Sequence, residues 1–325
     1  MKPTRRLFAL TTLACAALAA TGTALAQFPD KPLRIVVGAP AGGTADIIAR
    51  TLSEGLAQQL GQPVMVDNKP GGAGLIGLQE VLKAPRDGHT VLVSVNGIVL
   101  EIPHAMKLPV DPMKELRPVA EIARTGPLFV AGPNVPASNL KEAIAYVKAN
   151  PGKVNYGSYS PGTLSHTLGL ELNKLAGTDM VHVGYKGSPP ALTDLIGGHV
   201  SFMFDGPATS IPMIKGGKIK VFATTAPARL SMLPDVPTFA ELGYKDLTET
   251  AWMGLFTTPD VPVAAPARLR EAVLTVLEQP AVRQRFTALG LDMAPPASPD
   301  ELVRSLRAAS DRQAATLKAV GFKPE

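Results

Sequence analysis

Cysteine is nearly absent from this 325-residue chain: the single example, Cys15, lies in a segment that reads as a removable leader. The remaining chain has no thiol for a disulfide, a thiolate nucleophile or a cysteine-ligated metal. Aromatic residues make up only 5%, with one Trp, and no basic run carries interleaved aromatics, which argues against a nucleic-acid partner. No apolar run after residue 26 reaches the roughly 18 residues needed to span a bilayer, so the product is expected to be soluble. His89, His104, His182 and His199 show no H-E-x-x-H or comparable ligand spacing, and no metal is expected.

The N-terminus carries an export signal. Lys2, Arg5 and Arg6 precede an apolar run from Leu7 to Leu25 that ends in Ala24-Leu25-Ala26, a small-x-small cleavage site. Cleavage after Ala26 and a periplasmic location are expected. Thr4-Arg5-Arg6-Leu7-Phe8 also resembles a twin-arginine signal, with the ordinary secretory reading ranked ahead. The formal charge of +5 falls to +2 once these three basic residues are removed.

The rest of the chain alternates strand-like and helical patterns. Leu33 to Val37, Val64 to Val66 and Val91 to Val95 alternate with helices over Ile47 to Leu60 and Leu75 to Leu82, a βαβ arrangement with a mainly parallel sheet. A second block repeats the pattern: Leu128 to Ala131, helix Leu140 to Ala149, Val154 to Tyr156, helix Leu164 to Leu175, Met180 to Val183, helix Pro190 to Ile196, Phe202 to Phe204 and Lys220 to Thr224. A Pro-rich connection, a strand-like run over 251 to 258 and two or three helices follow, the last opening with a capping box at Ser298 and Glu301. The expected layout is an α/β protein of two domains. Residues 125–225 form one, and 27–124 with 226–325 form the other, joined by two crossings that make a hinge.

Two strand-to-helix turns could carry chemistry. Gly38 and Gly43 have P-loop spacing, but Thr44 stands where the phosphate-binding lysine belongs, which argues against nucleotide hydrolysis. What remains is a Gly-Gly turn before a helix, either a small-anion site or a plain turn with Thr44 as N-cap. Asp46 would favour the helix's first turn, or face an ammonium or hydroxyl group on the ligand. Gly71-Gly72-Ala73-Gly74 reads as a backbone nest or a loop.

In the second block, Ser158-Tyr159-Ser160-Pro161-Gly162-Thr163 precedes a helix, with Ser160 as candidate N-cap and Pro161 at the first helical position. It also approximates the G-x-S-x-G elbow of a secreted serine hydrolase using Ser160, with His166 nearby. The leading Gly is missing, however, and Pro161 has no N–H for the oxyanion hole. Tyr185-Lys186-Gly187 and Asp205 sit where strand ends and helix starts of an α/β sheet line a ligand crevice.

Six ordered segments, "FPDKPLRIVVGAPAGGTADIIAR", "VDNKPGGAGLIG", "DGHTVLV", "NPGKVNYGSYSPGTLSHT", "VHVGYKGSPPALTDLIGGHVSFMFD" and "LPDVPTFAEL", resemble the Bug-type, TctC-like extracytoplasmic solute receptors of tripartite tricarboxylate transporters. The resemblance implies a type II-like flytrap that closes on a small carboxylate and delivers it to a membrane permease, without catalysis or cofactor. It implies a ligand cleft lined by Ala41, Gly42, Gly43, Thr44, Asp46, Ser94, Asn96, Ser158, Ser160, Thr163, Ser165, His166, Tyr185, Lys186, Gly187 and Asp205. Ala41 replaces the family's usual Pro, and Pro161 and Thr167 are further departures, which bear on ligand identity. A dicarboxylate, a tricarboxylate or an acidic amino acid fits this reading, a monomer is expected, and a ligand-sensing receptor subunit is the other non-catalytic alternative.

Overall fold

The computed structural model describes residues 28–293 and 295–324; the leader and its cleavage site lie outside the described residues. Among these residues ten strands form two five-stranded sheets. The first contains β1 (Leu33–Val37), β2 (Val64–Asn68), β3 (Thr90–Val95), β4 (Arg117–Thr125) and β10 (Ala251–Thr257), in the order β2-β1-β3-β10-β4. The second contains β5 (Leu128–Ala131), β6 (Asn155–Ser158), β7 (Val181–Gly184), β8 (Phe202–Asp205) and β9 (Lys220–Thr224), in the order β7-β6-β8-β5-β9.

Both sheets are mixed, a departure from the mainly parallel sheets expected. β1 pairs in parallel with β2 and β3, whereas β10 runs antiparallel to β3 and β4. In the second sheet β6 is parallel to β7 and β8, and β5 is antiparallel to β8 and β9. The parallel part is made by local βαβ units, which sequence periodicity reveals. The antiparallel part is made by strands that arrive from outside those units and pair only through the tertiary fold.

Among the described residues, nine longer helices flank the sheets: α1 (Thr44–Leu60), α2 (Leu75–Lys83), α3 (Leu140–Ala149), α4 (Leu164–Ala176), α5 (Ser188–Gly197), α6 (Pro207–Lys215), α7 (Ala264–Leu277), α8 (Pro280–Ala288) and α9 (Pro299–Ala319). The first sheet has apolar clusters on both faces, which is why β1 reads Leu-Arg-Ile-Val-Val and not as an alternating strand. Phe129, Phe202 and Phe204 stack at the centre of the second sheet, with centroids 4.9 to 5.1 Å from Phe129. The capping box of α9 forms as expected, with Ser298 and Glu301 exchanging hydrogen bonds.

Two elements have no counterpart in the periodicity. β4 carries Pro118 and survives because it lies at the sheet edge, where β10 is its only strand neighbour in the sheet. α6 contains Pro207 at its start and Pro212 inside, which break the helical pattern in the sequence. The Pro-rich connection also packs unexpectedly: Phe239 and Leu247 are fully buried in the core of the second sheet, whereas a boundary at 225 would put them with the first. Phe239 N–H donates to the Thr224 carbonyl at 2.9 Å, holding this segment against β9. No helix among the described residues is long and apolar enough to cross a membrane.

Candidate ligand-binding site

The two sheets face one cavity of about 180 Å³ with contributions from both. The first sheet supplies the β1–α1 turn, the Gly71–Gly74 loop and the segment after β3; the second supplies the turns before α4, α5 and α6. The halves are in close contact around it. At Gly187 (φ 114) an added Cβ would come within 2.6 Å of Pro40 Cδ, so glycine is required both by the backbone and by the neighbouring lobe.

Four helices direct their N-termini at this cavity: α1 through Gly43, Thr44 and Ala45, α4 through Thr163, Leu164 and Ser165, α5 through Gly187 and Ser188, and α6 through Gly206. None has a side-chain cap, whereas α3 and α9 are capped by Asn139 and Ser298. Uncapped first-turn N–H groups together with the helix dipoles make a surface that favours negative charge. In α5, Pro189 and Pro190 lack N–H groups, so its donors are concentrated on Ser188 and Ala191. Lys186 adds a formal positive charge to the wall and makes no ion pair among the described residues.

The structure corrects two capping assignments. α1 begins at Thr44 with Gly43 as N-cap, because Gly42 (φ 79) turns the chain one residue earlier than a Thr44 cap would require. α4 begins at Leu164 with Thr163 as N-cap: Gly162 (φ 76) separates Ser160 and Pro161 from the helix, so Ser160 is not its cap.

Of the residues expected in the cleft, Gly43, Thr44, Ser94, Ser160, Thr163, Ser165, Tyr185, Lys186 and Gly187 line the cavity. Ala41, Gly42, Asp46, Asn96, Ser158, His166 and Asp205 do not. Several of these sit behind the wall and hold it. Asp46, 3% exposed, accepts from Gly42 N–H at 2.9 Å, Arg50 Nε at 2.9 and 3.1 Å and Asn68 Nδ2 at 2.9 Å. Burial would raise its pKa, but these donors outweigh it and hold the carboxyl below the ordinary value. Its oxygens are engaged within the β1–α1 turn, where they hold the wall from behind.

Asp205 is fully buried and accepts from Tyr159 Oη and Thr209 Oγ1, each at 2.7 Å. Tyr159, within the Ser158-to-Ser165 turn, lines the cavity; its Oη accepts from Gly206 N–H at 2.8 Å, so Asp205 orients it from behind. Burial and the Asp205 charge drive the Tyr159 phenol well above its ordinary pKa, keeping it a neutral donor. Asn96 is tied to β10 through Trp252, with its N–H on the Trp252 carbonyl at 2.9 Å. Tyr185 Oη donates to Asp194 at 2.7 Å, and burial with this neighbour raises its phenol to about 12.

The hydrolase geometry is not assembled around Ser160. His166 Nδ1 accepts from Gly162 N–H at 3.0 Å, and its ring stacks on His182 at a centroid distance of 3.7 Å. Burial, reinforced by His182, lowers His166 to about 4, and burial alone does the same to His182. The only Ser–His contact among the described residues near this turn joins the buried Ser158 Oγ to His182 Nε2 at 2.6 Å, outside the cavity wall.

The Gly71–Gly74 loop does line the cavity, with Gly71, Gly72, Ala73 and Gly74 all at positive φ. Gly38, Thr125 and Glu101 are further wall residues that sequence reasoning missed. The glycine run signalled the loop; nothing in the local pattern around Glu101 distinguishes it from a surface acid.

A two-lobed α/β architecture with a mostly apolar cavity between the sheets, into which a few polar groups converge, defines the class of ligand-binding proteins that enclose small solutes. Residues 48–322 match the model of the tripartite tricarboxylate transporter family receptor, and the chain belongs to that family. It is 30% identical over 304 residues to the protein BugT of Bordetella pertussis, covering 91% of each chain. Its fold matches the periplasmic binding protein BugD with a TM-score of 0.87 and 30% identity, over 92% of this chain and all of that one. It also matches MatC from Rhodopseudomonas palustris with bound malate, with a TM-score of 0.82 and 31% identity, over 89% of this chain and all of that one. Family members are periplasmic solute-binding receptors of tripartite transporters.

Proposed function

We propose that this protein is an exported receptor that encloses a small carboxylate between its lobes and passes it, chemically unchanged, to membrane permease subunits. The candidate ligands are di- or tricarboxylates and acidic amino acids. The observation that carries this reading is the convergence of four uncapped helix N-termini and Lys186 on one small cavity. Hydroxyls of Thr44, Ser94, Ser160 and Ser165 supply further donors around an anionic group, while Thr163 Oγ1 donates to the Ser160 carbonyl at 2.7 Å and holds the turn. The bound malate of MatC supports the choice of ligand class.

The lobes are the two sheets with their helices, linked at Gly126-Pro127 and again near Thr250. A ligand that contacts both turns binds the closed form better than the open one and shifts the population towards closure. Capture is favoured over hydrolysis because, among the described residues, Ser160 has no histidine partner, and Pro161 offers no oxyanion donor. Thermal denaturation with a panel of carboxylates tests the reading. A ligand at 100 times its Kd should add about 2.7 kcal/mol of stability, and the absence of a shift with every small carboxylate would overturn it.

A further inference from the structure

Glu101 follows β3 in the cavity wall and is only 2% exposed, yet its Oε2 has no hydrogen-bond partner among the described residues. A buried carboxyl oxygen without a donor is costly, and a well-packed fold retains one chiefly where something else completes it. Gly97 makes room for it: a Cβ there would lie 2.6 Å from Oε2. Burial pushes the Glu101 carboxyl up to about 7, opposed by a hydrogen bond from its own backbone N–H and reinforced to a lesser extent by the charge of Glu249, and no cation is among the causes.

The other lobe presents the opposite chemistry. Ser188, at the first position of α5, lines the same cavity, is 6% exposed and has an unpartnered Oγ. It sits beside Lys186 and the free N–H groups of α5, so that wall suits an anion. Ile98, Ile102 and Met253 contribute apolar surface to the enclosure. The two sides therefore ask for different groups on one ligand: a carboxylate for the second lobe, and a hydrogen-bond donor for the first.

We propose that Glu101 is the specificity-determining residue of this cavity, accepting an N–H donor at the end of the ligand remote from its carboxylate, so that the preferred solute is an aminocarboxylate. The inference rests on the receptor reading above and narrows it. A plain dicarboxylate would bring its second carboxylate against Glu101, where two like charges in a dry site require uptake of a proton.

The test is calorimetric titration, at about pH 8, with probe sets of equal methylene number: succinate against β-alanine and succinamate, and glutarate against 4-aminobutanoate. The wild-type protein should bind the amino or amide member at least about tenfold more tightly than its dicarboxylate. Glu101→Gln, close to isosteric, should reduce that ratio to within about threefold without weakening the carboxylate end. If Glu101→Gln fails to fold by circular dichroism, Gly97→Ala, which displaces the carboxyl, should reduce the ratio in the same way. Tighter binding of dicarboxylates by the wild type, or a ratio unchanged in the variants, would overturn the role of Glu101 and leave the receptor reading intact. Failure of every probe to bind the folded wild type would count against both.

Discussion

Replacing Asp46 with Asn separates ligand recognition from support of the cavity wall. The carboxylate receives Gly42 N–H, Arg50 Nε and Asn68 Nδ2, all at 2.9 to 3.1 Å, and every one of these partners is a donor. An amide offers one acceptor and one NH2, so whichever way Asn turns, the NH2 faces a donor and at least one hydrogen bond is lost. Arg50 is half-exposed and its ion pair counts for little once screened by solvent. The bonds from Gly42 and Asn68 are better shielded, and losing one charge-assisted bond with a donor left unmatched costs about 2 kcal/mol. Urea unfolding at neutral pH should therefore show a loss of that size with an unchanged slope.

Calorimetric titration of Asp46→Asn should then show a similar loss of affinity for amino-dicarboxylates and plain dicarboxylates, because the damage is to the β1–α1 turn that both share. A stability loss under about 0.5 kcal/mol, combined with selective loss of amino-dicarboxylates, would refute the supporting role and return ammonium recognition to Asp46. The pH dependence gives an independent check. Asp46 is held below its ordinary carboxylate pKa in the folded state, so its contribution is complete above the unfolded value and disappears as pH falls through the folded one. The wild type's advantage over Asp46→Asn should shrink on acidification below about pH 4.

Three other outcomes follow from the geometry. Gly187→Ala, at φ 114 and with its Cβ 2.6 Å from Pro40 Cδ, should weaken carboxylate binding by about tenfold or more by obstructing closure, read by titration; unchanged affinity would mean that the turn does not contact the other lobe in the bound state. Ser160→Ala should reduce affinity only by the worth of one hydroxyl, about 1 kcal/mol, and ester substrates should show no turnover in either form; a turnover abolished by the substitution would establish a hydrolase. His166 and His182 sit near pKa 4 when folded, against an ordinary 6.5. A lowered histidine pKa contributes stability that is present above the unfolded value and lost as pH falls, so melting temperature should decline between 6.5 and 4, and a His182→Gln variant should lose part of that decline.

Local units and family membership are written along the chain. The runs Leu33 to Val37 and Leu128 to Ala131 match β1 and β5, and the helix over Leu140 to Ala149 matches α3. Each is specified by short-range apolar periodicity and by the turn residues beside it. The same logic fails for α6, whose prolines are tolerated by its position and not by its pattern, and for β4, whose pairing with β10 joins residues 117–125 to 251–257.

The cavity belongs to the tertiary structure. Residues 38–45, 71–74, 94–102, 159–165 and 185–188 approach one another only when the two sheets face each other, and no spacing along the chain records that approach. The turn around Gly42 and Gly43 was legible as an anion-binding candidate, but whether Asp46 faced the ligand or the protein depended on Asn68, which is 22 residues away. Glu101 carried no local signal at all. Its burial, its missing partner and its place in the same wall as Ser188 arise from non-local packing, and packing decides which polar atoms are left for a ligand to complete.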